Sequence, residues 1–172
     1  MKRLLILFVV AVAMQAAAQA PAKPAAKPAA KTMKPIPQGM SGEKAAVMAP
    51  VKQFVDGFNK GDVKSALALC ADESYIIDEF PPYQWSGAGA CGHWANDNEA
   101  DTKKNGVTDQ VVTLGRPKHV DVTGDHAYVV VPVDYSFKQS GKPMKEAGST
   151  LTIALQKSGN DWRITSWAWS KN

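Results

Sequence analysis

The chain has 172 residues and a formal net charge of +4, with 45% hydrophobic and 21% charged residues. Residues 1–40 hold six of the 20 Lys and Arg residues and none of the 16 acidic residues, which leaves 14 basic and 16 acidic residues in the remainder. Residues 41–172 therefore carry a net charge of −2, so the basic surface that nucleic-acid binding requires is not expected there. Their number suits one domain with a single hydrophobic core.

Residues 1–20 have the features of a secretory signal peptide. Lys2 and Arg3 precede an apolar run over residues 4–13, and residues 18–20 (Ala-Gln-Ala) supply small side chains for cleavage. The apolar run is shorter than the roughly 20 residues that span a bilayer as a helix. We therefore predict export to the periplasm or the extracellular space, with an uncleaved membrane anchor as the alternative.

Residues 21–40 are rich in Pro, Ala and Lys. Such a composition cannot bury a core, and each proline removes a backbone donor. The segment is predicted to be an extended, positively charged tether. It is either a solvated spacer or a contact to the anionic cell envelope.

The chain contains two cysteines, Cys70 and Cys91, and both lie in the domain over residues 41–172. An even pair of cysteines in an exported chain predicts a disulfide, because many extracellular compartments are oxidising. Two buried thiols are the alternative.

Three helices are expected in the first half of the domain. The first has apolar residues at steps of three and four: Val47, Val51, Phe54, Val55 and Phe58. It either begins near Pro50 or is kinked there. Gly61 suits its left-handed end, and Asp62 caps a short second helix. The third helix is expected over residues 88–104.

The other predicted elements are strands. The first, over residues 74–78, precedes a loop over residues 80–87, where adjacent prolines oppose both helix and strand. Later strands are expected over residues 107–122 with a bend at Gly115 and Pro117, and over 126–138, 148–157 and 162–170. Three helices followed by an antiparallel meander predict an α+β domain, in which the helices cover one face of a strongly bent sheet.

Four segments of the domain resemble the nuclear transport factor 2-like superfamily, in its bacterial SnoaL-like and ketosteroid isomerase-like branch. They are FVDGFNKGD (54–62), ADE (71–73), DEF with WSG (78–80 and 85–87) and DWRITSWAWS (161–170). The resemblance implies a cone, in which a curved antiparallel sheet wraps around about three N-terminal helices and encloses a pocket. It also implies a homodimer through the open face of the sheet. The superfamily includes isomerases, dehydratases, cyclases and binding modules, so the fold does not fix the function.

The resemblance places a candidate catalytic base at Asp78. Burial in an apolar cone raises the pKa of a carboxyl group toward neutrality. The alternative is an acid at the end of a strand that bonds water or a loop amide. The two oxyanion donors of the steroid isomerases, a Tyr and an Asp, have no counterpart, since Phe54 occupies the first position and Thr150–Thr152 contains no Asp. Losing one such donor costs a factor of about 100 to 1,000, so steroid isomerisation is not expected.

Two further polar residues have open alternatives. His93 either forms an acid–base dyad with Asp78 or is an exposed residue at a helix start. Asp134 lies either on the polar outer face of a valine-rich strand or in the pocket. The three histidines lack the spacing of metal ligands, and no metal or cofactor is expected.

Aromatic residues border the predicted pocket, as a site for a small apolar or aromatic ligand requires. The candidate ligand-binding residues are Phe54, Tyr75, Tyr83, Trp85, Trp94, Tyr135 and Trp167. Trp162 and Ile164 are expected in the core. Trp167 and Trp169 are expected on the opposite face of the same strand, where they line the pocket or form a subunit contact.

Three functions stay open from the sequence. The domain binds a small, largely apolar molecule without catalysis, or it is an isomerase, dehydratase or cyclase that uses Asp78 as its base. In the third hypothesis, residues 21–40 make it an interaction module of the cell envelope.

Overall fold

The computed structural model describes residues 42–172. The predicted signal peptide (1–20) and tether (21–40) lie outside the described residues. The helices are α1 (Gly42–Asn59), α2 (Val63–Leu67) and α3 (Ala90–Lys104). The strands are β1 (Cys70–Ile77), β2 (Gln84–Ala88), β3 (Val107–Leu114), β4 (His119–Thr123), β5 (His126–Gln139), β6 (Lys142–Ser158) and β7 (Asp161–Ser170). Within this range, no helix is long and apolar enough to cross a membrane.

The strands form one sheet in the order β2-β1-β7-β6-β5-β3, and β4 also pairs with β5. Strand β5 accommodates both neighbours because β4 pairs with residues 126–130 and β3 with residues 133–139. Pairing is antiparallel except between β1 and β7, which run parallel and so finish at the same end of the sheet. This curved sheet with its N-terminal helices confirms the predicted α+β cone fold.

Helix α1 places its apolar side against the sheet, as the periodicity predicts. Val47, Val51, Phe54 and Val55 are buried, and the helix contacts β3, β4 and β7. It begins at Gly42 and runs through Pro50, which is also buried. Helix α1 therefore forms the wall of the cone that faces the inner side of the sheet.

Three elements differ from the sequence predictions. Strand β1 begins at Cys70 instead of Ser74, because Cys70 already pairs with Ile164 of β7. The segment predicted as a loop contains β2, since Pro81 and Pro82 occupy only the turn and the residues after them pair with β1. Strand β6 is also longer than predicted and begins at Lys142, where it forms a hairpin with β5.

Cys70 and Cys91 form a disulfide, with their Cα atoms 6.6 Å apart. The bond joins the first residue of β1 to the first turn of α3. It closes a loop with a sequence separation of 21 residues. Helix α3 is therefore covalently fastened to the sheet at its N-terminal end.

We expect the double variant Cys70→Ser/Cys91→Ser to lose about 3 kcal/mol of unfolding free energy, the entropic contribution of a loop of this size. Urea unfolding of oxidised wild type and the variant measures the difference. Reducing agent should lower the midpoint of the wild type and leave the variant unchanged. Equal stability of the two proteins would contradict a structural role for the bond.

Candidate functional site

Aromatic side chains fill the centre of the cone. The ring of Phe54 lies 5.0 Å from that of Trp167, and Trp94 lies 5.1 Å from Trp167 and 5.2 Å from Phe58. A cavity of about 10 Å³ borders Phe54 and Trp167, which is room for one water molecule. At this point the aromatic rings therefore pack closely and leave space for no more than a water molecule.

A bulge in β7 turns Trp167 and Trp169 toward the inside of the cone. Ile164 pairs with Leu155 and Ser166 with Ala154, which leaves Thr165 as an extra residue. The extra residue reverses the alternation, so Trp167 is buried on the same side as Ile164. The expectation that the two tryptophans lie on the opposite face was wrong because a strict period of two does not allow for a bulge.

Asp78 lies directly after β1 with a half-buried carboxylate. Its Oδ2 accepts a hydrogen bond from Trp94 Nε1 at 2.8 Å, and its Oδ1 accepts one from the Glu79 backbone N–H at 2.7 Å. Burial raises the pKa of Asp78, the two hydrogen bonds oppose that change, and the charges of Glu79 and Glu146 add to it. The net result is a pKa above the usual value of an aspartate.

A second bulge, in β6, turns Glu146 toward Asp78. Val133 pairs with Ser149 and Tyr135 with Glu146, so β6 has one residue more than β5 here, and Gly148 supplies the positive φ of 79°. Trp169 Nε1 donates to Glu146 Oε1 at 3.2 Å, and the Ser149 hydroxyl donates to the same oxygen. Burial raises the pKa of Glu146, but these bonds and Lys171 outweigh it, and the net pKa lies below its usual value.

Tyr135 lies beside these carboxylates as a neutral hydroxyl. Burial, and then the charges of Glu79, Glu146 and Asp78, raise its pKa to about 12. Its hydroxyl donates a hydrogen bond to Gln110 Oε1 at 2.5 Å. A phenol in this environment keeps its proton at neutral pH and can serve as a donor.

We call this region the polar mouth. It consists of Asp78, Glu79, Trp94, Tyr135, Glu146, Trp169 and Lys171. The Lys171 ammonium lies 3.1 Å from Glu79 Oε2 and 3.0 Å from Glu146 Oε2. Among residues 42–172, every buried side-chain nitrogen and oxygen has a hydrogen-bond partner. The polar groups are thus held in place by the folded domain.

The predicted site residues separate into three groups. Asp78, Trp94 and Tyr135 meet at the polar mouth, and Phe54 and Trp167 pack beneath it. Trp85 is buried on β2 and donates to Asp97 Oδ2 at 2.8 Å. Tyr75, Tyr83 and His93 are exposed away from these contacts.

Within the described part of the chain, neither a hydrogen bond nor an ion pair joins His93 to Asp78. The indole that donates to Asp78 belongs to Trp94, the residue after His93. Asp134 pairs with Lys145 at 3.0 Å and accepts a bond from the Gly148 amide, on the outer side of the hairpin. No group of three or more potential ligands in residues 42–172 is arranged to hold a metal ion.

Sequence reasoning missed Glu79, Glu146 and Lys171. Glu146 lies outside the predicted strand over residues 148–157, so its neighbours across the sheet could not be assigned. Gly148, a glycine within a long β hairpin, is the one signal of a bulge that could have indicated an inward carboxylate.

We expect Trp94→Phe to raise the pKa of Asp78 further, because the indole bond that it removes lowers that pKa. NMR titration of the side-chain carboxyl carbons measures the change. Trp85→Phe is the matched control, since its indole bonds Asp97 instead. An unchanged or lower pKa for Asp78 in the Trp94 variant would contradict this assignment.

Comparison with known proteins agrees with the fold. The sequence model of one family, described as the SnoaL-like domain, matches residues 47–171. Among curated proteins, none matches the chain.

Similar solved structures come from several bacteria. A protein of unknown function from Mycobacterium tuberculosis has a TM-score of 0.62 at 14% identity, over 76% of this chain and 72% of that one. A ketosteroid isomerase-like protein from Erwinia carotovora atroseptica has a TM-score of 0.60 at 18% identity, over 77% of this chain and 98% of that one. A nuclear transport factor 2-like protein from Salmonella enterica has a TM-score of 0.62 at 15% identity, over 74% of this chain and 89% of that one. At these identities the structures share the fold alone, and it is the family match that shows that the chain belongs to the SnoaL-like domain family.

Proposed function

We propose that this domain is an exported binding protein for a small, largely apolar or aromatic molecule, which it holds at the polar mouth. The observation that carries the proposal is the half-buried carboxylate of Asp78, which accepts a hydrogen bond from the Trp94 indole. The ring of Trp94 packs with those of Phe54 and Trp167, and we call these three rings the aromatic floor. Apolar walls with a few oriented polar groups are what a small-molecule site needs. Because the rings of the aromatic floor pack closely, an apolar group of the ligand lies against them at the polar mouth or displaces one of them.

The charge of the polar mouth narrows the class of ligand. Asp78, Glu79 and Glu146 contribute three carboxyl groups, and Lys171 contributes one ammonium. An excess of carboxylates repels anions and favours neutral or positively charged molecules. A ligand with a hydrogen-bond donor next to an aromatic ring fits both features.

The second candidate function is acid–base catalysis with Asp78 as the base. The raised pKa of Asp78 and the neutral hydroxyl of Tyr135 support this candidate, because the carboxylate could take a proton from a substrate while the hydroxyl acts as a hydrogen-bond donor. The side chain of Phe54 is buried in the aromatic cluster and offers no donor, which continues to argue against steroid isomerisation.

Export is supported by the sequence of residues 1–20 and is compatible with the disulfide. Disulfides persist in oxidising compartments outside the cytosol, and Cys70 and Cys91 are joined in the folded domain. The export proposal rests on the charged start, the short apolar run and the small residues at positions 18–20.

A homodimer is supported by the outer face of the sheet. Along one row of paired residues, the small side chains of Ser166 and Ala154 lie between Tyr75 and Tyr128. The two tyrosines are 57% and 47% exposed. A second copy could cover this row and bury both rings.

Native mass spectrometry of the protein purified from the producing cells tests binding, export and dimerisation together. We expect a dimer of chains that lack residues 1–20, with a small molecule bound to the domain. A protein that carries no small molecule would contradict tight ligand retention, and the mass of the complete chain would contradict cleavage.

We expect Asp78→Asn to retain the co-purifying molecule, because the substitution preserves the size and shape of the side chain and leaves one oxygen to accept one of its two hydrogen bonds. Any conversion of that molecule by the wild type should fall by about 100-fold or more, the usual contribution of a general base. Asp134→Asn is the matched control on the outer side of the hairpin. Loss of binding in the Asp78 variant alone would show that the charge, and not the acid–base chemistry, is what the site uses.

A further inference from the structure

We propose that Lys171 is a gate over the polar mouth, whose ammonium closes the mouth while it bridges Glu79 and Glu146 and must leave before a ligand enters. This inference rests on the proposed function for its biological meaning. Its structural basis is the contact of one cation with two carboxylates on opposite sides of β7.

The two carboxylates come from parts of the sheet that are not hydrogen-bonded to each other. Glu79 lies in the turn between β1 and β2, and Glu146 lies in β6, with β7 between β1 and β6 in the sheet. Lys171 follows the last residue of β7, and its Nζ contacts both carboxylates, at 3.1 and 3.0 Å. The lysine side chain therefore spans the end of β7 and ties its two neighbours together.

The three side chains of the bridge differ in their exposure to solvent. The side chain of Lys171 is 61% exposed, that of Glu79 is 32% exposed and that of Glu146 only 12%. The ammonium thus covers the inner carboxylate from the solvent side. In addition to burial, the charges of both glutamates raise the pKa values of Tyr135 and Asp78, so the bridge lies near the polar groups of the proposed site.

The bridge is well placed to open. Lys171 follows β7, and no strand or helix includes it. Ion pairs with such an exposed partner are weak, since water and salt compete for the charges. Glu146 keeps its orientation without the lysine, because Ser149 and Trp169 continue to donate to it. Opening the gate therefore moves one side chain and leaves the site behind it intact.

Hydrogen exchange of the tryptophan indole N–H groups tests the gate without any ligand. The Trp169 indole bonds Glu146 and the Trp94 indole bonds Asp78, so both report access to the mouth, whereas Trp162 lies in the core as an internal reference. NMR of the ¹⁵N-labelled protein, purified from the producing cells, follows all three groups.

In Lys171→Met we expect the Trp169 and Trp94 indoles to exchange up to about fivefold faster, the effect of losing an exposed ion pair, while Trp162 keeps its rate. Glu79→Gln should have the same effect, because it removes the outer anchor of the bridge. Lys145→Met is the matched control, since Lys145 has a similar exposure and pairs with Asp134 at a comparable 3.0 Å. Its rates should equal those of the wild type.

Unchanged exchange at Trp169 and Trp94 in both Lys171→Met and Glu79→Gln would overturn the gate. Equal acceleration at Trp162 would also overturn it, because the variant would then loosen the whole domain. Since no ligand takes part, these outcomes are separate from the proposed function. A functional binder with no gate would retain its ligand in the mass spectrum and show unchanged exchange.

Discussion

The attachment of α3 to the β1–β2 hairpin determines the geometry of the candidate site. Three residues on one side of the helix, spaced three apart, bond to the hairpin: Cys91 to Cys70, Trp94 to Asp78, and Asp97 to Trp85. One link is covalent and two are indole hydrogen bonds to carboxylates. Because the links follow one another along the helix, α3 can neither slide nor rotate without breaking at least one of them. The position of the Asp78 carboxylate is thereby fixed with respect to the aromatic floor.

The aromatic floor lies next to the polar mouth. The rings of Phe54, Trp94 and Trp167 pack against one another there, and the Trp94 indole joins them to Asp78. Two bulges then aim side chains at the remaining opening. The extra residue Thr165 brings Trp167 and Trp169 inward, and the bulge at Gly148 does the same for Glu146. The site therefore depends on these two local breaks in strand alternation.

Much of the fold could be predicted from the sequence because its signals are local. The apolar steps from Val47 to Val55 gave the buried side of α1, and the alternation from Val129 to Val133 gave the inward face of β5. Such patterns need no knowledge of distant partners.

The composition of the mouth depends on contacts between residues that are distant in sequence. Glu146 and Lys171 meet Glu79 only after β7 has paired with both β1 and β6. A bulge moves every later side chain of its strand to the other face, and the residues around Thr165 carry no composition that marks one. The face of Trp167 was for this reason assigned wrongly, although its role as a buried aromatic residue was recognised.

The most direct test of the account is to locate ligand contacts with the five tryptophan indoles. NMR spectra of the ¹⁵N-labelled protein would be recorded while a panel of small neutral and cationic aromatic compounds is added. If the polar mouth is the binding site, compounds that bind will shift the indole N–H signals of Trp94 and Trp169 together and leave that of Trp162 in place. Binding that shifts Trp162 while Trp94 and Trp169 stay unchanged would contradict the assignment of the site.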